Sequence, residues 1–180
     1  MAIAESEYYG TLVEATAYFA KRLYPDAWDD SAVADRPKAL LWATNIIDAL
    51  NFRGYKKPVY DIVYDSSGNI LTDAPTQAEI RAAEITQDLE FPRGTDTTVP
   101  DTIKIATWEI AYNLLDGVQP ELEVENLAVT SQGISSVRTS YDRSFTPIEH
   151  LINGIPSATA WRYLKPFLRD AEDVKLSRIS

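Results

Sequence analysis

The chain has 180 residues with 27 acidic against 17 basic side chains, a formal net charge of -10 and a pI near 4.5. That length suits one or two small domains whose core needs no covalent staple, and the lack of cysteine excludes disulfide scaffolds, thiol nucleophiles, iron–sulfur clusters and cysteine zinc sites. The acidity disfavours tight sequence-independent binding to nucleic acid, whose phosphates are held through Lys and Arg.

Apolar residues recur at helical spacing in Tyr8, Leu12, Ala15, Phe19 and Leu23, which predicts an amphipathic helix over 8–23 stopped by Pro25. Asp26, Asp29 and Asp30 read as an acidic turn. Pro37, suited to a first helical turn, opens a helix over 38–51 with Leu40, Ala43, Ile47 and Leu50 as its buried stripe, and Gly54 supplies a left-handed residue just beyond it. The period then changes. Val59 to Tyr64 and Ile70-Leu71 flank Asp65-Ser66-Ser67-Gly68-Asn69, the pattern of a β-hairpin inserted at 58–72. Thr76 with Glu79 forms a capping box that starts a helix running to about Asp88. After Leu89 to Arg93 and a polar loop, Pro100 leads into a helix striped by Ile103, Ala106, Ile110, Ala111 and Leu114 and ended before Gly117.

From Glu121 onward Leu122, Val124 and Asn126 alternate with acids, and Ser131 to Ser140 is rich in Ser, Thr and Val, so a strand or extended arm is expected. Pro147, Gly154 and Pro156 punctuate a loop, and Ser157 caps a last short helix carrying Trp161, Leu164 and Leu168. The final ten residues are expected to be mobile in the isolated chain. The fold class is therefore mainly α: a bundle of about four helices with a small β-hairpin, an extended arm and a C-terminal tail. Its expected divisions are a helical core at 1–120, an arm at 121–156, and a short helix with tail at 157–180. That last segment carries five basic residues against three acidic. The N-terminus lacks a basic n-region and an apolar h-region, and no 18 apolar residues run together, which predicts a soluble, unexported chain with no membrane partner.

Catalytic signatures are missing. His150 is the single histidine, and no Gly-x-Ser-x-Gly elbow, His-Glu-x-x-His, Walker loop or Gly-x-Gly-x-x-Gly accompanies it. His150 reads as a loop imidazole, and no catalytic residue, cofactor or metal is assigned. Asp26, Asp29 and Asp30 offer oxygens to a hard cation, but their spacing fits no known loop, and Asp65 to Asn69 has its glycine fourth instead of sixth. Phe52, Tyr60 and Tyr64 beside Arg53, Lys56 and Lys57 suggest a stacking platform for single-stranded nucleic acid; the competing account packs those aromatics on the second helix. Of the four tryptophans, Trp42 and Trp108 are assigned to the core. Trp28 and Trp161 stay open between core and interface.

Several pieces follow in order over residues 8–117: Tyr18-Phe19-Ala20-Lys21-Arg22, Trp28, Lys38 to Thr44 with Ile47-Asp48, Phe52-Arg53-Gly54, Leu89-Glu90-Phe91-Pro92-Arg93, and Val99-Pro100 with Ile103-Lys104-Ala106. In this ordered set the chain resembles tailed-phage head–tail adaptor proteins, also called head–tail connector or head completion proteins, of the siphophage connector type. The resemblance implies a non-enzymatic virion protein of the neck, assembled in the host cytoplasm. It implies a dodecameric ring of self-associated copies joining the portal protein to the tail, its stopper or its terminator. DNA passes through such a channel without specific binding, and an acidic wall would let it slide. A closed ring needs two different complementary patches on each subunit. Trp28, Trp42, Phe91, Pro92 and Arg93 are the structural residues of the matched motifs. The resemblance further implies neighbour contacts from the arm (Ile134, Val137, Arg138, Tyr141) and from the tail (Trp161, Arg162, Tyr163, Phe167, Arg169). An intramolecular hairpin and a terminal helix packed on its own domain are the respective competing accounts. A second functional reading is a DnaT-like primosomal single-stranded-DNA-binding protein, against which the charge balance weighs.

Overall fold

The structure, a computed structural model, describes residues 3–57, 65–69, 76–128, 131–134, 137–140 and 149–169. The chain is mainly helical, as expected. Its first helix, α1 (Leu12–Phe19), is shorter than the apolar spacing suggested. Gly10 takes a left-handed φ of +78° that breaks the run, and Thr11 and Glu14 then form a capping box, Glu14 N–H donating to Thr11 Oγ1 at 3.1 Å and Thr11 N–H to Glu14 Oε2 at 2.8 Å. Tyr8 therefore lies before the helix, and Leu23 lies past its end, exposed. The acidic Asp26–Asp29 segment is one helical turn, α2, instead of a plain turn, and it carries Trp28 into the core.

The long helix α3 (Asp35–Asp48) buries Leu40, Ala43, Thr44 and Ile47. Helix α4 (Gln77–Thr86) starts at the expected Thr76 capping box, and α5 (Asp101–Leu115) buries Ile103, Ala106, Ile110 and Ala111 as the stripe predicts. Residues 58–64 and 70–75 of the expected hairpin lie outside the described residues. In the turn between them, Asp65 Oδ1 accepts from the Ser67 and Asn69 N–H groups at 2.8 Å each. Asn69 Nδ2 donates to Asp65 Oδ2 at 2.8 Å, so the turn satisfies its own carboxylate.

The segment after Pro120 corrects an expectation. Pro120–Ala128 is a helix, α6, not an extended arm. Proline in the first position and Glu121 and Glu123 in the first turn favour a helix start, and strong helix formers outweigh an alternation only three residues deep. Two short strands follow, β1 (Ser131–Ile134) and β2 (Val137–Ser140), paired antiparallel with Ile134 opposite Val137. One turn of helix, α7 (Glu149–Ile152), stands where a loop was expected. Ser157 caps α8 (Ala158–Leu164), accepting from Ala160 N–H at 3.2 Å, and a 3-10 turn, Lys165–Phe167, follows. Among the described residues no helix is long and apolar enough to cross a membrane.

Helix α5 is the axis of the core, packed against α3, α8 and α2. Phe19 stacks on Trp28 at 4.5 Å and on Tyr112 at 5.6 Å between ring centroids. A second centre forms at Phe91, whose ring meets Tyr9 (5.9 Å), Phe52 (4.7 Å) and Phe167 (5.5 Å) edge-on. Its backbone N–H donates to the Tyr9 hydroxyl at 3.1 Å, that hydroxyl donates to Asp48, and Tyr9 N–H donates to Thr44 Oγ1 at 3.1 Å. Arg93 completes the tie by donating from Nε to the Arg53 carbonyl (2.9 Å) and from Nη2 to the Gly54 carbonyl (2.7 Å). Its guanidinium also pairs with Glu90, which Lys56 meets from the other side at 3.0 Å. The C-terminal segment joins through Arg53 N–H to the Phe167 carbonyl (2.9 Å) and Arg169 N–H to the Asn51 carbonyl (3.0 Å).

Burial raises the Asp48 carboxyl from 3.8 to about 6, against the lowering effect of the Tyr9 hydrogen bond, and burial with the nearby Asp48 charge pushes the Tyr9 phenol up. Two outcomes follow. Phe91→Ala should lose about 3–5 kcal/mol in urea unfolding, since a fully packed ring is removed from a tie that cannot collapse. Folding takes up a proton at Asp48 between pH 3.8 and about 6, so the charged carboxylate opposes folding fully above that window and ceases to below it. Asp48→Asn, which keeps an acceptor for Tyr9, should therefore melt above the wild type at pH 7 and level with it near pH 4.

Candidate interaction surface

The outward side of α3 carries an apolar patch among polar residues, Trp42 and Ala49 being exposed beside Asp35, Lys38 and Asn45. Trp42, Ile46 and Ala49 follow at spacings of four and three and line a cleft of about 430 Å³ with Val124 of α6 and Leu151 and Ile152 of α7. A second cleft of about 440 Å³ adjoins it, sharing Trp42, Pro120 and Glu121 and reaching Asp35, Lys38 and Leu114. Trp42 stands between the two, 61% exposed, with Ile152 at 59%, Leu122 at 48% and Val124 at 39%. Assignment of Trp42 to the core is thus corrected. Two residues round from Leu40 is roughly 200° on a helical wheel, and α5 covers only the Leu40 side. Trp42, Val124 and Ile152 line the same cleft and leave apolar surface exposed there.

Acids border the surface. Glu121, Glu123 and Glu125 lie along α6, and Asp35 pairs with Lys38 at 2.7 Å at the far end. The local sequence signal for this site was weak, because two of its three walls, α6 and α7, were expected to be extended or looped.

Other candidate residues are held by the fold. Among the described residues no group of three or more His, Asp or Glu could hold a metal ion, and Asp26, Asp29 and Asp30 sit on or at the end of α2. His150 lies in α7 instead of a loop, and burial lowers its pKa. Phe52 of the proposed stacking platform is buried in the core. Lys56 of the same platform is engaged with Glu90 and with the carbonyls of Gln87 (3.2 Å) and Asp88 (3.4 Å); Tyr60 and Tyr64 lie outside the described residues. A buried carboxylate that sequence reasoning did not single out, Glu109, has both oxygens taken: Tyr18 donates to Oε1 at 2.7 Å and Arg22 meets Oε2 at 3.1 Å. The Arg22 guanidinium lies 3.9 Å over the Tyr112 ring, which makes this an internal brace.

The residues singled out from the sequence fall into separate places. Trp28 is buried under Phe19, and Phe91, Pro92 and Arg93 form the tie described above. Trp161 is buried and donates from Nε1 to Glu149 Oε2 at 3.3 Å. Arg162 is exposed and Tyr163 half-buried on α8, whereas Phe167 packs on Phe91 and Arg169 is anchored to Asn51. The helix carrying Trp161 is therefore packed on its own domain, against α5. Ile134 lies in β1, Val137 and Arg138 in β2, with Arg138 opposite Gly133; Tyr141 lies outside the described residues.

Trp42→Ala should shift the unfolding free energy by less than about 0.5 kcal/mol, as at other surface positions. Trp28→Ala should cost about 3–5 kcal/mol, as for other core aromatics; urea denaturation of the two variants separates the surface tryptophan from the core one. No family model matches the chain, and no curated protein or solved structure matches it.

Proposed function

We propose that the chain is a head–tail adaptor subunit of a tailed phage, acting by assembly and not by chemistry. Copies form a ring in the virion neck between the portal protein and the tail, and DNA passes through its channel. The observation that carries this reading is the Trp42 face, an apolar surface built jointly by α3, α6 and α7 and turned away from the core.

A second apolar patch supports it. Leu23 and Tyr24 are 81% and 78% exposed at the end of α1. Tyr24 holds a left-handed φ of 58°, an uncommon conformation for a residue with a side chain, and its carbonyl accepts from the Tyr112 hydroxyl at 2.7 Å. The subunit thus offers two unlike apolar patches, the requirement of a head-to-tail contact that closes into a ring. An overall charge of -10 suits a conduit that must not hold DNA.

The test is electron microscopy, with protein identification, of virions purified from the source of this chain. Density in the neck that fits the subunit as a rotationally symmetric ring is expected, and Trp42→Glu should abolish its incorporation. Absence of the chain from virions, together with salt-dependent oligonucleotide binding, would replace this reading with the single-stranded-DNA binder.

A further inference from the structure

The two apolar patches differ in the charges set beside them. Leu23 and Tyr24, both exposed, come directly after Lys21 and Arg22, which line a groove of about 590 Å³ together with Tyr18, Ile105 and Trp108. The acids of that groove are already met, since Lys104 reaches Glu14 at 3.1 Å and Asp101 at 3.5 Å. Its cations are not. Among the described residues no ion pair or hydrogen bond engages the exposed Lys21 side chain, and Arg22, whose Nη2 meets Glu109 at 3.1 Å, keeps a buried Nη1 without an acceptor.

The Trp42 face carries the opposite sign. Glu121 lines both of its clefts, Glu125 is exposed one turn further along α6, and among the described residues neither carboxylate has a cation paired to it. The order of charge also matches. Asp26 is exposed two residues past Tyr24, and Lys38 lines the second cleft, its pair with Asp35 being the exposed kind that contributes little. One patch runs from cation through apolar side chains to acid, the other from acid through Trp42 to cation.

Position keeps the patches apart in one subunit. The Tyr24 carbonyl accepts from Tyr112 of α5, whereas Leu114 of the same helix lines the second cleft, and two residues round a helix is roughly 200°. They therefore lie on different sides of α5, and one meets the other only in a second copy. Packing of two Trp42 faces on each other would set Glu121 against Glu121, a like-charge juxtaposition that weakens association.

We propose that a second copy of this chain seats its Leu23 and Tyr24 in the Trp42 cleft, with its Lys21 against Glu121. The contact rests on the reading of the chain as a self-assembling subunit and names the surfaces that join. Because the joined patches are unlike, each pair of copies keeps one of each open, and the same contact adds the next copy.

The chain has no cysteine, so Leu23→Cys in one preparation and Ile152→Cys in another, both at exposed positions, give a disulfide only where the two substituted sites meet. Oxidation of the mixed preparations at high concentration should yield a dimer joining one of each, and neither preparation alone should cross-link. Lys21→Glu in the first or Glu121→Lys in the second should lower the yield by about tenfold, and the two changes together should restore it. A cross-link formed by Ile152→Cys alone would overturn the proposal in favour of Trp42 faces packed on each other, and so would no cross-link or one indifferent to the charge changes. A mixed cross-link in a chain absent from virions would overturn the neck reading and leave this contact standing; a ring in the neck without the cross-link would do the reverse.

Discussion

The Tyr9 hydroxyl holds together parts of the chain that no local rule would join. It donates to Asp48 at the end of α3 and accepts from the Phe91 backbone N–H, while the Tyr9 N–H caps the Thr44 side chain from below. The bonds of Tyr9 N–H and of the Phe91 N–H are buried and that to Asp48 is partly buried, and a buried polar group left without a partner destabilises by about 1–3 kcal/mol. Around it Phe52, Phe91 and Phe167 close an aromatic cluster, and Arg93 and Glu90 seal its rim.

This arrangement explains why so much aromatic surface could be left outside. With α5 covered by α3, α8 and α2 and the lower end closed by the Phe91 tie, the core is complete without the outer stripe of α3. Trp42 and Ile152 are then surplus to folding, which is the energetic condition for a surface to serve association. An obligate core residue could not be offered to a partner without loss of the subunit itself.

The legible part of the fold was the part written in short-range chemistry. Thr76 with Glu79, Ser157 as a cap and the Ile103, Ala106, Ile110 stripe each involve residues within one or two helical turns, and each occupies the expected place, whereas α3 begins at Asp35, two residues before the Pro37 expected to open it, and ends at Asp48. The α6 helix was missed because Leu122, Val124 and Asn126 alternating with acids fit a strand template as readily as a helix. Trp42 was placed in the core because large aromatic rings are usually buried, and nothing in its own helix says which side α5 will cover. Tyr9, Asp48 and Phe91 are separated by 39 and by 82 positions in their hydrogen bonds, so their network left no periodic or motif signal, and the cleft inherited the errors made on its walls.

The long span of the Phe91 tie also bears on how the molecule is made. Residue 9 waits for residue 91, and the cluster is closed only by Phe167 and Arg169 near the other end of the chain. Non-local contacts of this kind form slowly because the intervening loop must close before they contribute. Until the Phe167 segment docks, Phe52 and Phe91 lack part of their cover, and apolar surface left open in that way favours association.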